Sequence, residues 1–299
     1  MNIEQELGQK LKAGVKVNEP MSLHTSWQVG GPADYFFNPA DLDELLEIVR
    51  FRKKYNLPLY VMGNGTNLLV RDGGIRGMVV NIGSAFCYVN RENETLVAGA
   101  GTPMTYLASS AAEKGLVGLE FCIGIPGSLG GAIIMNAGSF GGYIGERVRS
   151  VKMVTYDAEV INLAGDELNF SYRSSNLLGR GIVVEAILQL KKGDIEESLQ
   201  MMEHFLSERE KRHPDLPSAG SVFRNMPGQP AGKIIEETGC KGMKTGGAEV
   251  SCKHANFIVN TGEATAADII GLIEKVKQMV KEDCGLELQP EVKIIGEES

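Results

Sequence analysis

Between residues 41 and 55 apolar side chains recur at Leu42, Leu45, Leu46 and Val49, with acidic residues leading and basic residues trailing, the charge order a helix dipole favours. The spacing predicts a helix that stops at Asn56-Leu57-Pro58. The apolar run Leu59-Tyr60-Val61-Met62 reads as a short buried strand that opens directly into Gly63-Asn64-Gly65-Thr66-Asn67-Leu68-Leu69. Further strands are predicted over 77–82 and 95–100, then a helix over 104–114 that Gly115 stops. Residues 151–156, 159–163 and 182–190 have strand character, the last almost continuously apolar, and 191–194 (Lys-Lys-Gly-Asp) read as a linker.

A charged amphipathic helix is predicted over 195–212, closed by His213-Pro214. Beyond it the pattern changes to a small mixed unit. Residues 254–260 are strand-like, Thr265 with Asp268 forms a capping-box start, and Ile269, Ile270, Ile273, Val276 and Val280 mark the apolar face of a long helix. Residues 286–295 read as a last strand, and no internal repeat or low-complexity segment is found. The whole is an α+β pattern.

Composition narrows the classes. A chain of 299 residues exceeds the usual size of a single core, so two or three domains are expected, and 43% hydrophobic with 23% charged residues is ordinary for a globular protein. A formal charge of -8 without a dense basic run argues against a nucleic-acid partner. No apolar run approaches the ~20 residues of a membrane span, and the stretch 1–6 is acidic and amphipathic, unlike a signal peptide. The expectation is a cytoplasmic protein without a membrane partner. Five scattered cysteines without a C-x-x-C pair argue against a disulfide framework or zinc, and four histidines without H-x-x-x-H spacing give no metal set.

Two glycine-dense elements carry candidate chemistry. In Gly63-Asn64-Gly65-Thr66-Asn67-Leu68 the glycines let backbone N–H groups converge on an anion, with Thr66 and Asn67 adding donors. An ordinary turn is the competing reading. The dinucleotide fingerprint is excluded, because it needs a glycine where Leu68 stands and a helix directly afterwards. The second element, Gly124 to Gly131, holds Pro126, Gly127, Ser128, Gly130 and Gly131, and an apolar patch leads from it to Asn136, Ala137 and Gly138. It suits either the second end of a pyrophosphate or a tight crossing of packed backbones. Ser128, Ser139 and Ser221 all lack a glycine two residues earlier, so none is a nucleophile elbow, and residues 228–234 fall short of a P-loop. Trp27 suits a core or hinge position as well as a ligand contact.

Three short segments add one hydroxyl, one guanidinium and one carboxylate: Ser221 in Gly220-Ser221-Val222-Phe223-Arg224-Asn225, Arg173 in Tyr172-Arg173-Ser174-Ser175, and Glu291 in Gln289-Pro290-Glu291-Val292. That trio suits protonation of a carbanion beside a carboxylate. Together with residues 25–34, 63–69 and 125–138, and in this order, these segments resemble the family of MurB-type UDP-N-acetylenolpyruvoylglucosamine reductases, flavoenzymes of bacterial cell-wall synthesis. The cofactor-binding part of that family is similar to the p-cresol methylhydroxylase and vanillyl-alcohol oxidase group.

The resemblance implies a two-subdomain FAD-binding region over 1–194, divided into about 1–80 and 81–194, and a C-terminal α+β substrate-binding domain over 195–299. It implies non-covalent FAD held by residues 63–68, 126–128, 130, 131 and 136–138, NADPH as reductant, and the enolpyruvyl ether of UDP-N-acetylglucosamine as substrate. Ser221 then falls on the proton donor, Arg173 on the catalytic arginine and Glu291 on the catalytic glutamate, with Tyr172, Arg173, Asn225 and Asn256 on the substrate. The short stretch between Tyr172-Arg173 and the helix at Ile195 leaves little room for the substrate-covering loop of the longer branch, so the shorter branch is implied. Arg209, Lys211, Arg212 and Arg224 are candidates to stabilise a Ser221 alkoxide or are solvated surface charges. A flavin oxidase on the same scaffold, tethered through His24, is the competing enzyme class. A non-catalytic nucleotide-sugar or flavin sensor is the competing binding class.

Overall fold

A computed structural model describes Glu6, Leu11 and residues 13–298. The amphipathic stretch 1–6 lies outside the described residues apart from Glu6. The chain divides into two units whose segments interleave. The first holds the chain up to Val17 with Tyr35–Asn64 and Gly77–Arg209; the second holds Asn18–Asp34, Gly65–Arg76 and Glu210–Ser299.

In the first unit the helix Leu42–Tyr55 begins at Asp41, whose carboxylate accepts the N–H of Glu44 at 2.8 Å. Glu44 reaches back to accept the N–H of Ala40 at 2.6 Å, and Asn56 in a left-handed conformation (φ 49°) closes the far end. Leu45, Ile48 and Val49 point inward. The strand Leu59–Met62 pairs in parallel with Ile75–Asn81, Leu59 opposite Met78.

An antiparallel five-stranded sheet follows, in the order Val160–Ala164, Val148–Thr155, Gly181–Gln189, Thr95–Gly99, Val89–Glu92. Its buried face sets Val151 opposite Ala186 and Ala186 opposite Ala98, with Leu96 and Leu188 alongside. Two helices share that core: Met104–Glu113 contributes Leu107, Ala108 and Ala111, and Leu129–Met135 contributes Leu129 and Ile133. The second of these was not foreseen, because Gly130 and Gly131 depress helix propensity and disguise its start as loop. Lys191–Lys192, read as linker, instead pairs with Leu116–Val117. The helix Ile195–Arg212 matches its predicted bounds.

The second unit is built on a small antiparallel sheet of Lys244–Thr245, Ala248–Val250 and Ile258–Asn260, with helices Ala231–Glu237 and Ala266–Cys284. The predicted capping box is present: Thr265 Oγ1 accepts from Asp268 N–H, and the Asp268 carboxylate accepts from Thr265 N–H. Asp72 binds the next free donors, accepting the N–H groups of Ala266 and Ala267 at 2.9 Å each. Trp27 is fully buried in this core. Its indole N–H donates to Ile258 O at 2.7 Å, and Asn260 Nδ2 donates to Trp27 O at 2.9 Å. Early and late chain also meet in the parallel pairing of Leu68–Val70 with Lys293–Ile295.

Two predicted strands are shorter than expected. Of residues 254–260 only Ile258–Asn260 pair, because Phe257 N–H closes a turn onto His254 O at 2.9 Å. Of 286–295 only Lys293–Ile295 form a strand; Pro290 makes an isolated bridge to Phe223 and has no N–H to extend it into a ladder.

Candidate functional site

In the first unit Gly63 follows its strand directly, and its carbonyl accepts from Asn81 Nδ2 at 3.3 Å. A Cβ at Gly63 would overlap Ser128 Oγ, so the two glycine-dense elements meet here and neither side tolerates bulk. Ser128 is buried at the start of the Leu129–Met135 helix, yet its side chain caps no helix N–H. Backbone bonds fix its surroundings: Met104 N–H donates to Gly127 O at 2.9 Å, Leu129 N–H to Thr102 O and Gly130 N–H to Ala100 O at 2.8 Å each. A Cβ at Gly130 would sit 3.0 Å from Ala100 Cβ. The second element is thus a tight backbone crossing at 127–130, flanked by exposed Pro126 and Gly131.

Asn136, left-handed at φ 44° and buried, gives its whole amide to the protein: Oδ1 accepts from Gly145 N–H at 3.0 Å and Nδ2 donates to Ser171 O at 2.9 Å. Ala137 O accepts from Ile144 N–H at 3.0 Å. What Asn136 fixes is a pair of hairpins, one from Gly138–Ser139 and Gly142–Tyr143, the other from Phe170–Ser171 and Ser174–Ser175. Tyr172 and Arg173 form the tip of the second, which Ser175 Oγ anchors by donating to Ile134 O at 2.8 Å. Arg173 adopts φ 53°, its Nη1 donates to Gly138 O at 3.4 Å, and its guanidinium carbon lies 5.3 Å from the Tyr172 ring. The cation is therefore held at the end of the glycine-dense run.

Arg209 comes to the same run from the helix Ile195–Arg212. A Cβ at Gly124 would lie 2.6 Å from Arg209 Cδ, and burial depresses the pKa of this guanidinium. Sequence reasoning left Arg209 among four surface candidates, since helix periodicity alone does not mark which basic residue packs against a glycine.

The second unit assembles the rest. Gly65 is left-handed (φ 63°), and a Cβ there would overlap the carbonyl oxygen of His24. Half-buried Thr66 follows, and Asn67 is tied to the chain's late segment: Lys293 N–H donates to Asn67 O at 2.9 Å and Asn67 Nδ2 to Glu291 O at 3.4 Å. Leu68 lies opposite Lys293 in the parallel pairing. Glu291 N–H in turn donates to Val222 O at 2.7 Å, and Arg224 N–H to Gln289 O at 2.9 Å. Half-buried Ser221 and Glu291 are thereby brought to neighbouring positions on paired backbones.

The other flank of the Ser221 segment is held by Asn256. Val222 N–H donates to Asn256 O at 2.8 Å, while the Asn256 amide accepts from Phe223 N–H at 2.9 Å and donates to Phe223 O at 2.8 Å. In place of an open amide facing a substrate, Asn256 is a buried clamp on this loop. Asn225 is exposed, and its Oδ1 accepts from Ala231 N–H at 3.0 Å at the start of a helix. His24 Nε2 lies 2.8 Å from Glu19 Oε1. Among the described residues no three His, Cys, Asp or Glu side chains are grouped to hold a metal, and no helix is long and apolar enough to cross a membrane.

Comparison with known proteins converges on one family. Residues 33–164 match the family model of an FAD binding domain, and residues 212–295 match that of the UDP-N-acetylenolpyruvoylglucosamine reductase C-terminal domain. The protein of that name from Desulforamulus reducens is 44% identical over 98% of this chain and 97% of its own length. Its namesake from Heliobacterium modesticaldum is 48% identical over 93% and 90%. The crystal structure of UDP-N-acetylenolpyruvylglucosamine reductase from Thermus caldophilus superposes with a TM-score of 0.82 at 35% identity, covering 94% of this chain and 99% of that one. The α+β fold expected from the sequence is the observed one, and within the first unit the side-chain-free backbone at Gly63 fits a cofactor whose phosphates need close backbone approach. The chain belongs to the UDP-N-acetylenolpyruvoylglucosamine reductase family.

Proposed function

We propose that this chain reduces the enolpyruvyl ether of UDP-N-acetylglucosamine to UDP-N-acetylmuramate. The observation that carries the reading is the pairing of the Ser221 and Glu291 segments through Glu291 N–H and Val222 O at 2.7 Å, in a chain of this family. FAD supplies hydride at N5 and is replenished by NADPH. In this reading residues 1–194 hold the cofactor, through the backbone of 63–68, 126–128, 130, 131 and 136–138, and residues 195–299 cover the substrate.

Addition of hydride to the terminal methylene carbon sends electron density to the carbon bearing the ether oxygen and into its carboxylate. Arg173, a planar fork of donors, meets those carboxylate oxygens. Glu291 in its protonated form donates a hydrogen bond to the same growing charge, and each such donor is worth ~3 kcal/mol at the transition state. Ser221 then delivers the proton to the carbon, so that one hydride and one proton saturate the double bond. Tyr172 and Asn225, both exposed, offer the nucleotide sugar a ring and an amide N–H. Asn256 acts through the loop that it clamps. In this reading the protein acts in the cytoplasm.

An anaerobic titration tests this. NADPH should bleach the flavin absorbance, and one equivalent of the enolpyruvyl sugar should restore it. A flavin that stays bleached, or a purified protein without flavin, would reject the reading.

A further inference from the structure

We infer that His254, as a neutral imidazole, is a positioning residue for the Ser221 loop, acting through Asn256. The inference rests on the proposed role of Ser221 as proton donor. His254 Nδ1 accepts the main-chain N–H of Asn256 at 3.2 Å. Asn256 in turn takes both backbone groups of Phe223 on its side chain, at 2.9 and 2.8 Å, and the N–H of Val222 on its carbonyl at 2.8 Å. Three residues thus link an imidazole lone pair to the backbone that immediately follows Ser221.

That linkage requires a particular protonation state. With Nδ1 as acceptor, the neutral ring carries its proton on Nε2. A second proton sets N–H against N–H at Asn256 and removes the bond. The ring has little freedom to turn away, because a Cβ at Gly232 would come within 2.9 Å of its Cε1, while Phe257 packs at 4.8 Å and His213 edge-on at 5.8 Å.

The charged and titratable groups around it are His213 and Arg212 at the helix end, Glu236 on the helix Ala231–Glu237, and Lys241 just beyond. Lys253, its chain neighbour, faces Asp215 at 3.7 Å. Burial depresses the imidazole pKa, a hydrogen bond with its own backbone opposes that, Lys241 and Arg212 add to the depression, and the negative charge of Glu236 works against it. The acceptor state therefore holds at neutral pH and fails on acidification below the ordinary 6.5 of histidine.

Stopped-flow traces of the holoenzyme, followed from neutral to acid pH, separate the two half-reactions. Reoxidation by the enolpyruvyl sugar should fall on the acid side, whereas flavin reduction by NADPH should not share that limb. His254→Asn offers an amide oxygen near the place of Nδ1 with no proton to gain, and should flatten the profile. His254→Leu should slow reoxidation ~5-fold at neutral pH, about one hydrogen bond's worth, with KM for the sugar unchanged. An acid limb retained in His254→Asn overturns the inference, as does a His254→Leu effect confined to KM, which would make the ring a substrate ligand. Amide exchange of residues 222–225 and 256 in the wild-type holoenzyme is a second measure that needs no variant. Protection should drop together with acidification, and protection independent of pH also overturns the inference. If the sugar never reoxidises the flavin, the proposed function fails, and amide exchange still decides the role of His254.

Discussion

Glu291 donates its main-chain N–H to the carbonyl of Val222 at 2.7 Å, so the proposed proton donor next to Val222 and the proposed acid are registered by backbone. Such fixed placement is what an active site needs if its groups are to meet developing charge without reorganising.

Ser221→Ala should leave flavin reduction by NADPH nearly intact and slow reoxidation by the enolpyruvyl sugar ~100-fold or more, the scale of a lost general acid. Rapid-mixing absorbance measures both halves. Equal slowing of the two would remove Ser221 from the proton-transfer step.

Arg173→Lys keeps the charge but loses the planar fork, and should lower kcat/KM ~10-fold to 100-fold. Because Arg173 sits half-buried at the tip of a two-strand hairpin rather than in a core, the melting temperature should move little. Steady-state kinetics beside a thermal melt distinguishes lost chemistry from lost fold.

Gly63→Ala places a methyl where Ser128 Oγ lies. Flavin affinity should weaken ~10-fold, the equivalent of about one lost hydrogen bond, as read by flavin released on dilution. Ser128→Ala in the same chain makes room for the methyl and should recover part of the loss. Full additivity of the two changes would contradict their shared space.

Trp27→Phe removes the indole donor from the buried bond to Ile258 O at 2.7 Å. Loss of ~1–3 kcal/mol is expected for an unsatisfied buried acceptor, measured as a shift of the urea midpoint at unchanged slope.

Glu185 governs an acid-side effect. Burial works to raise its carboxyl, but hydrogen bonds from Lys152 at 2.8 Å and Tyr88 at 2.6 Å outweigh it and leave the pKa below the ordinary 4.5. A folded-state value below the unfolded one contributes stability above pH 4.5 that is lost as pH falls through the folded value. Thermal melts of Glu185→Gln should show a shallower decline over that acid window than wild type. Superimposable pH profiles would show that the ion pair does not couple to folding.

Local signals made much of the fold legible. Apolar periodicity, charge order and stop residues announced four helices, one of them with its capping box at Thr265 and Asp268, because such signals are written in neighbouring residues. The helix Leu129–Met135 was hidden because Gly130 is set by a contact with Ala100, a residue far away in sequence. The same limit applied to the site. Residue types at Ser221, Arg173 and Glu291 drew notice, whereas the adjacency of Ser221 to Glu291 and the clamp of Asn256 on Phe223 arise from long-range backbone pairing. An asparagine heading an apolar run, as in Asn256-Phe257-Ile258-Val259, was the one sequence trace of that clamp. Buried polar groups seldom stand unsatisfied.

The second unit is stitched from early and late chain, with Trp27 awaiting Ile258, Asp72 awaiting Ala266, and Leu68–Val70 awaiting Lys293–Ile295. A ribosome emits these partners in the worst order for rapid closure. Residues 18–34 and 65–76 must wait for these late partners through most of translation. A shortened version starting at residue 210 would lack the tryptophan, the aspartate and the partner strand, and should behave as a molten, protease-sensitive fragment.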